Sequence, residues 1–348
     1  MTFRYLLLFS FLFSELFSQT DTFKIAVEDK QAAERCYNAG LELFKKKKFT
    51  EAIDSFSRAL TMKPDMESAF YNRALSQVEN GKSNLAISDF SESIRLNPIA
   101  DYSYLGRGRI YFSSKEYDKA TADFTKATEV NAKNHEAWYE KGVINFLNKN
   151  YDLAIADYTK SIEAKEENPY AFNDRAGCKI EQGKPEEAIE DYKKAVNFSD
   201  NSAFFHNNLG SAYRKKKDHK KAIDEYNKAI ELKKDYYIAY NNRGSVKYES
   251  GDVEGALQDF NKSLEIKPDY VFALNNRSSC HFKMKEYQKG VNDCDKAITI
   301  NSAYGEAYLN RGICKEMLKD FKGACEDFRK AAELGMNIAK KYNDVCED

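Results

Sequence analysis

The chain has 348 residues, with 54 lysines and arginines against 55 aspartates and glutamates, a formal net charge of −1. That balance excludes a protein built to neutralise nucleic acid phosphates or an anionic membrane surface, which needs a basic excess. The 42% hydrophobic residues exclude a disordered tail, 5 prolines and 16 glycines are too few punctuators for an all-β chain, and 4 histidines leave little for metal centres.

The first residues stand apart. Arg4 supplies a positive start, and Tyr5 to Phe13 (YLLLFSFLF) is an apolar stretch that ends near Ser14, Glu15, Leu16, Phe17 and Ser18. A bilayer span needs roughly 18–20 apolar residues, and this run is shorter. Basic start, short apolar core and small residue at the end read as a secretory signal peptide over 1–18, cleaved between Ser18 and Gln19. An uncleaved anchor is the alternative, and the one membrane association the sequence suggests. No cysteine stands beside the cleavage site to carry a lipid. The expectation is an exported protein: periplasmic, extracellular or in a secretory pathway.

After a lead-in over 19–32, the chain is one repeat. A period of 34 starting at Ala33 divides it into nine units (33–66, 67–100, 101–134, 135–168, 169–202, 203–236, 237–270, 271–304, 305–338) with no insertion or deletion. Within a unit, positions are numbered 1 to 34. Position 20 is Ala in eight units (Ala52, Ala86, Ala120, Ala154, Ala188, Ala222, Ala256, Ala324) and Gly290 in the other. Position 24 is aromatic in eight (Phe56, Phe90, Phe124, Tyr158, Tyr192, Tyr226, Phe260, Phe328), with Cys294 the exception. Position 8 is always small, position 27 is always Ala or Ser, and position 4 is mostly bulky, including the only tryptophan, Trp138.

This spacing predicts two short helices per unit. Positions 4 and 8 lie one turn apart on the first helix, and 20, 24 and 27 line one face of the second. Small residues let the helix axes approach, and the large ones fill the space between. Gly81, Gly183 and Gly251 mark the turn between helices. Pro185 falls at the start of a second helix, where its missing N–H costs nothing, and Pro64, Pro98 and Pro268 fall after its end. No unit can bury its own apolar face, so neighbours must stack into an all-α solenoid. Residues 339–348 (AKKYNDVCED) read as a short polar capping helix.

The pattern resembles the tetratricopeptide repeat family over Ala33 to Ile338. The resemblance implies a right-handed superhelix whose first helices line a concave groove. One departure is position 11, large and apolar in that family but Gln77, Asn145, Lys179, Lys247, His281 and Lys315 here. Position 12 carries the apolar residue instead (Phe44, Val78, Phe112, Phe146, Ile180, Tyr248, Phe282).

An internal covariation predicts contacts. Position 7 is basic in seven units: Arg73, Arg107, Lys141, Arg175, Arg243, Arg277 and Arg311. Position 23 of the same seven is Asp: Asp89, Asp123, Asp157, Asp191, Asp259, Asp293 and Asp327. The units that lack the base, at Ala39 and Leu209, also lack the Asp, having Ser55 and Glu225. The expectation is an ion pair inside each repeat, bidentate for arginine and worth about 0.2–1 kcal/mol if exposed.

The remaining face of the first helix, positions 2, 6, 9 and 13, is the candidate binding stripe. Position 6 is Asn38, Asn72, Asn208, Asn242, Asn276 and Asn310, interrupted by Gly106, Glu140 and Asp174. A similar series in glycosyltransferases that modify intracellular serines and threonines implies a grip on a peptide backbone, since an amide both donates and accepts. Phe204, Ile238 and Phe272 at position 2, and Tyr236, Tyr270 and Tyr304 at position 34, accompany the unbroken run in units 6 to 9. The other reading makes the asparagines solvated helix residues and the tyrosines inter-repeat packing. Some relatives hold acidic chaperone tails in a clamp that needs Lys at position 5, Asn at 9 and Arg at 6; here position 5 is never Lys, 9 never Asn and 6 never Arg, which excludes a co-chaperone.

The seven cysteines are Cys36, Cys178, Cys280, Cys294, Cys314, Cys325 and Cys346. Cys280 with Cys294, and Cys314 with Cys325, each bracket a hairpin, so short disulfides there are conceivable in an oxidising compartment. Apolar surroundings favour reduced packing thiols instead. No cysteine or histidine spacing supports a zinc site. His135-Glu136 lacks the second histidine of a metalloprotease pair, and no phosphate loop or nucleophile elbow occurs. The sequons at Asn197, Asn261 and Asn276 matter only in a eukaryotic secretory pathway. The ten residues after the last repeat offer no catalytic domain. The expectation is an exported, non-enzymatic scaffold without cofactor, metal, nucleic acid or small-molecule substrate. It recognises an extended peptide or partner helix, chiefly through units 6 to 9. The alternative is a structural component of an envelope or secretion assembly that uses its convex face and ends.

Overall fold

The computed structural model describes residues 30–339 together with Tyr342 and Cys346. The signal peptide expected over 1–18, most of the lead-in and nearly all of the expected capping helix lie outside the described residues. The chain divides into two units, with the boundary in the sequence between Glu166 and Glu167.

The first unit holds α1 (30–45), α2 (Phe49–Met62), α3 (Glu67–Glu79), α4 (Ser83–Leu96), α5 (Asp101–Ser113), α6 (Tyr117–Val130), α7 (His135–Leu147) and α8 (Tyr151–Ala164). The second holds α9 (Pro169–Glu181), α10 (Pro185–Phe198), α11 (Ala203–Lys215), α12 (His219–Leu232), α13 (Tyr237–Glu249), α14 (Val253–Ile266), α15 (Val271–Lys283), α16 (Tyr287–Ile300), α17 (Gly305–Met317) and α18 (Phe321–Glu333). A 3-10 turn follows at Asn337–Ala339. Within each unit, consecutive helices pair as hairpins and the hairpins stack, which is an α-solenoid arrangement.

Local chemistry sets the helix limits. Asn134, Asn168, Ser202, Asp218, Asp252 and Asp320 cap the starts of α7, α9, α11, α12, α14 and α18, each accepting from a backbone N–H of the first turn. Pro169 and Pro185 open α9 and α10. Each hairpin turn needs one residue in the left-handed region. Gly81, Gly183 and Gly251 supply it with φ of 72°, 73° and 89°. The equivalent residue elsewhere is lysine (Lys47, Lys115, Lys149, Lys217, Lys285, Lys319), with φ between 57° and 66°, at a strain of about 1 kcal/mol each.

The core of a hairpin is an aromatic ring from the second helix laid on a small residue of the first. A Cβ built on Gly108 would lie 2.6 Å from the Phe124 ring, and one on Gly142 2.7 Å from Tyr158. Phe56, Phe90, Phe124, Tyr158, Tyr226 and Phe260 are essentially inaccessible to solvent. Burying one such ring contributes about 1.5–3 kcal/mol. The position-12 aromatics clasp the other end of the hairpin. Phe44 meets Phe49, Phe112 meets Tyr117, Phe146 meets Tyr151 and Phe282 meets Tyr287, with ring centres 5.5–5.7 Å apart.

The hairpin-bracketing disulfides conceivable from the sequence do not form. Cys325 is bonded instead to Cys346, tying the end of the chain to α18, where Tyr342 also stacks on Phe328. Cys178, Cys280, Cys294 and Cys314 are free and buried, and Cys36 is free and half-buried. Among the described residues, no helix is long and apolar enough to cross a membrane.

Candidate functional site

The seven basic residues at position 7 and the aspartates at position 23 stand face to face across their hairpins. Arg73 donates from Nε and Nη2 to both oxygens of Asp89 at 2.7 Å. Arg107, Arg175, Arg243, Arg277 and Arg311 hold Asp123, Asp191, Asp259, Asp293 and Asp327 in the same two-pronged way. Lys141 reaches Asp157 at 3.2 Å. These pairs are sheltered, with aspartate side chains only 4–8% exposed. The small value suited to exposed pairs therefore does not apply to them. Burial pushes the Asp157 carboxyl above its usual range against the pull of Lys141 and Asn145, whereas the Asp123 hydrogen bond raises the Arg107 guanidinium despite burial.

Further contacts surround most of these pairs. The third guanidinium nitrogen reaches back to the preceding repeat: Arg73 to Ser57, Arg107 to Ser91, Arg243 to Asn227, Arg277 to Asn261 and Arg311 to Asp295. Five of the six polar residues at position 11, all but Gln77, turn inward to the same aspartates. Asn145 and Lys179 reach Asp157 and Asp191 at 2.7 Å, Lys247 and Lys315 reach Asp259 and Asp327 at 2.8 Å, and His281 lies 3.7 Å from Asp293. Sequence reasoning missed this role. The departure from the family pattern at position 11 is the other half of the aspartate site.

The asparagines of position 6 point along the stack. Asn208 donates to Asn173 at 2.9 Å, Asn242 to Asn207 at 3.0 Å, Asn276 to Asn241 at 3.0 Å and Asn310 to Asn275 at 2.9 Å. Each acceptor is the buried position-5 asparagine of the preceding repeat. Asn276 and Asn310 also reach Ser245 and Ser279, at 3.3 Å. In the first unit, Asn72 donates to the Tyr37 hydroxyl and the Ser68 carbonyl, and Asn38 is exposed. From Asn72 onward the series is thus hydrogen-bonded within the protein, and the Asn208 and Asn242 oxygens also accept from Asn207 and Asn241 at 3.4 Å. Position-5 asparagines had not been singled out, although Asn207, Asn241 and Asn275 adjoin the predicted residues.

Around this ladder, Phe204 and Phe272 are exposed, while Ile238, Tyr236, Tyr270 and Tyr304 are half-buried. Tyr270 sits edge-on to Tyr237, and Phe272 bridges Tyr270 and Tyr304 with ring centres 5.4 and 5.5 Å away. The two cavities beside Asn276 and Asn310 are small, about 90 and 140 Å³.

A larger groove, about 670 Å³, opens in the first unit across α3, α5 and α7. Its wall combines Tyr71, Leu75 and Val78 of α3 with Tyr102, Leu105 and Ile110 of α5 and with His135 and Glu136 of α7. It also takes in Gly106, one of the positions that interrupt the asparagine series. Arg109 spans Glu136 and Glu140 at 2.9 and 2.8 Å. Tyr71 and Tyr102 meet edge to face at 4.7 Å. Burial and the neighbouring Glu67 push the Tyr102 phenol up to about 12, which keeps it a donor to that carboxylate. Burial, helped by Lys165, holds His135 below its usual range. Its Nδ1 and the Gln77 Oε1 are buried without a partner among the described residues. No group of three metal-ligating side chains occurs among the described residues.

Models described as tetratricopeptide repeat match residues 33–66, 71–127, 105–171 and 237–270, and a model described as TPR repeat matches 179–216 and 210–251. The chain belongs to the tetratricopeptide repeat family. No curated protein matches it. Among solved structures, a tetratricopeptide repeat protein from Parabacteroides merdae is similar over 81% of this chain and 99% of that one, with 18% identity and a TM-score of 0.53. The APC/C hetero-tetramer Cut9–Hcn1 is similar over 81% of this chain and 54% of that one, with 16% identity and a TM-score of 0.54. YrrB, described as a TPR protein with an unusual peptide-binding site, is 22% identical over 53% of this chain and 95% of that one, with a TM-score of 0.47.

Proposed function

We propose that this protein is an exported, non-enzymatic scaffold that holds an extended segment of a partner protein against its first helices. The observation that carries the proposal is the groove across α3, α5 and α7, where three successive repeats jointly line about 670 Å³. A cleft of that size with a mostly apolar wall and a few fixed polar groups is how proteins hold peptide side chains. The groove also moves the preferred site from repeats 6 to 9 to repeats 2 to 4, since the asparagine side chains of the later repeats are already bonded to those of the repeat before. Export is supported by the signal-like start and by the Cys325–Cys346 bond, which suits an oxidising compartment.

Selection of a displayed random-peptide library on the full chain tests the reading. Two variants serve as counter-targets, each first shown to fold by circular dichroism: Leu75→Ser with Val78→Asp, and Asn208, Asn242, Asn276 and Asn310 all changed to Ala. The expected result is a family of peptides that loses binding to the first variant and keeps it on the second. Peptides that bind all three proteins equally would remove the groove from the proposal.

A further inference from the structure

Resting on that reading, we infer that the groove across α3, α5 and α7 takes a segment in which a bulky apolar side chain is flanked by lysine or arginine. The apolar part follows from the wall. Leu75, Val78, Leu105 and Ile110 converge with the crossed rings of Tyr71 and Tyr102, and Val78 is still 39% exposed. Covering that surface favours an aliphatic or aromatic anchor.

The basic part follows from charge. Glu79 of α3 lines the groove, exposed and in no ion pair among the described residues, and Glu136 of α7 lines it too. Between them, Arg109 is the one guanidinium in the wall, and it is shared by Glu136 and Glu140. Glu67 adds a fourth carboxylate beside Tyr102, held by the Tyr102 and Ser93 hydroxyls, which orient its charge without cancelling it. His135, kept low by burial, is uncharged at neutral pH and does not offset them. A segment rich in aspartate or glutamate would meet like charge across the groove. One with lysine or arginine on either side of the anchor would find Glu79 on the α3 wall and the second oxygen of Glu136 on the α7 wall.

The test uses the full chain and short fluorescein-labelled peptides read by anisotropy. One alternates lysine with leucine and phenylalanine, a second replaces its lysines with glutamate, and a third replaces its apolar residues with serine. The first is expected to bind with an affinity that falls as salt is raised, and the other two at least about tenfold more weakly. Glu79→Gln, at an exposed site that leaves the fold alone, and Glu136→Gln, which keeps an acceptor for Arg109, should each weaken the first peptide several-fold and flatten its salt dependence. Equal binding of the glutamate peptide overturns the inference, as does an affinity untouched by the two substitutions together. If display-selected peptides need the groove but carry acidic flanks, the inference falls while the proposed function stands. If no selected peptide needs the groove, both fall.

Discussion

The buried imidazole of His206 stands 2.7 Å from the Glu225 carboxylate, in the one repeat of the second unit that has leucine, Leu209, where its neighbours have arginine. Its other nitrogen faces the Asp200 carbonyl at 3.1 Å and the Asp200 carboxylate at 3.4 Å. A titrating pair thus replaces a permanent one. Burial alone would lower the His206 pKa, but the Glu225 hydrogen bond, the Asp200 carbonyl and the two carboxylates outweigh it, and the net direction is upward from 6.5. A raised folded pKa means that the fold binds the proton more tightly than the unfolded chain does. The stabilisation is therefore complete below the unfolded value of about 6.5 and is lost as pH rises through the folded one. Urea midpoints of wild type and His206→Gln, taken from about pH 5.5 to pH 9, should differ most at the acid end and converge at the alkaline end. A gap that is constant or widens with pH would sink this account.

Arg107 and Arg243 should not be equivalent. Asp123 receives its charged hydrogen bonds from Arg107 alone, because position 11 of that repeat is Tyr111. Asp259 keeps Lys247 at 2.8 Å when Arg243 is removed. Both guanidiniums are mostly sheltered, so removing one leaves a buried carboxylate short of a partner, at about 3–5 kcal/mol when no other cation remains. Arg107→Met is expected at the upper end of that range and Arg243→Met clearly below it. Denaturant unfolding of the two variants decides the order, and equal losses would mean that Lys247 does not compensate.

Much of this architecture could be read from spacing alone. Residues 16 apart in a helical hairpin face each other, so the joint presence of Arg73 with Asp89, and the joint absence of the pair at Ala39 and Ser55, was enough to expect contact. The role of Lys179, Lys247 and Lys315 was equally written in the chain, as polar residues where a hydrophobe was expected, but it shows only once the helix turns them toward the aspartate. The Asn208–Asn173 bond was harder. It crosses between repeats, and which atoms meet there depends on how one hairpin seats on the next, a distance no local period supplies. The groove was beyond reach for a related reason: its volume comes from three helices together.

The cysteines should separate into three classes by reactivity. Burial pushes the thiols of Cys178, Cys280 and Cys294 up to about 12 and that of Cys314 to about 11, so little thiolate forms there at any ordinary pH. Native alkylation is expected to modify Cys36 first, and peptide mapping without reductant to recover Cys325 joined to Cys346. Cys346→Ser opens a closure of 21 residues and should cost up to about 3 kcal/mol, felt at the last repeat. Alkylation of the four buried thiols as fast as Cys36, or adducts on Cys325 in unreduced protein, would contradict this assignment.

The asparagine ladder makes the most direct demand on stability. Asn242→Ala strands the buried Asn207 oxygen, which loses its donor at 3.0 Å, at about 1–3 kcal/mol. Asn242→Asp sets an acceptor against that same oxygen and should cost more, although it is nearly the same size. Changing Asn208, Asn242, Asn276 and Asn310 together to Ala is expected to remove about 4 kcal/mol or more, since four equivalent bonds are lost. Phe204→Ala, on the same helix face but 47% exposed, should change little. Urea titrations without any ligand make the comparison. If the fourfold variant is as stable as wild type, the ladder bears no part of the stacking.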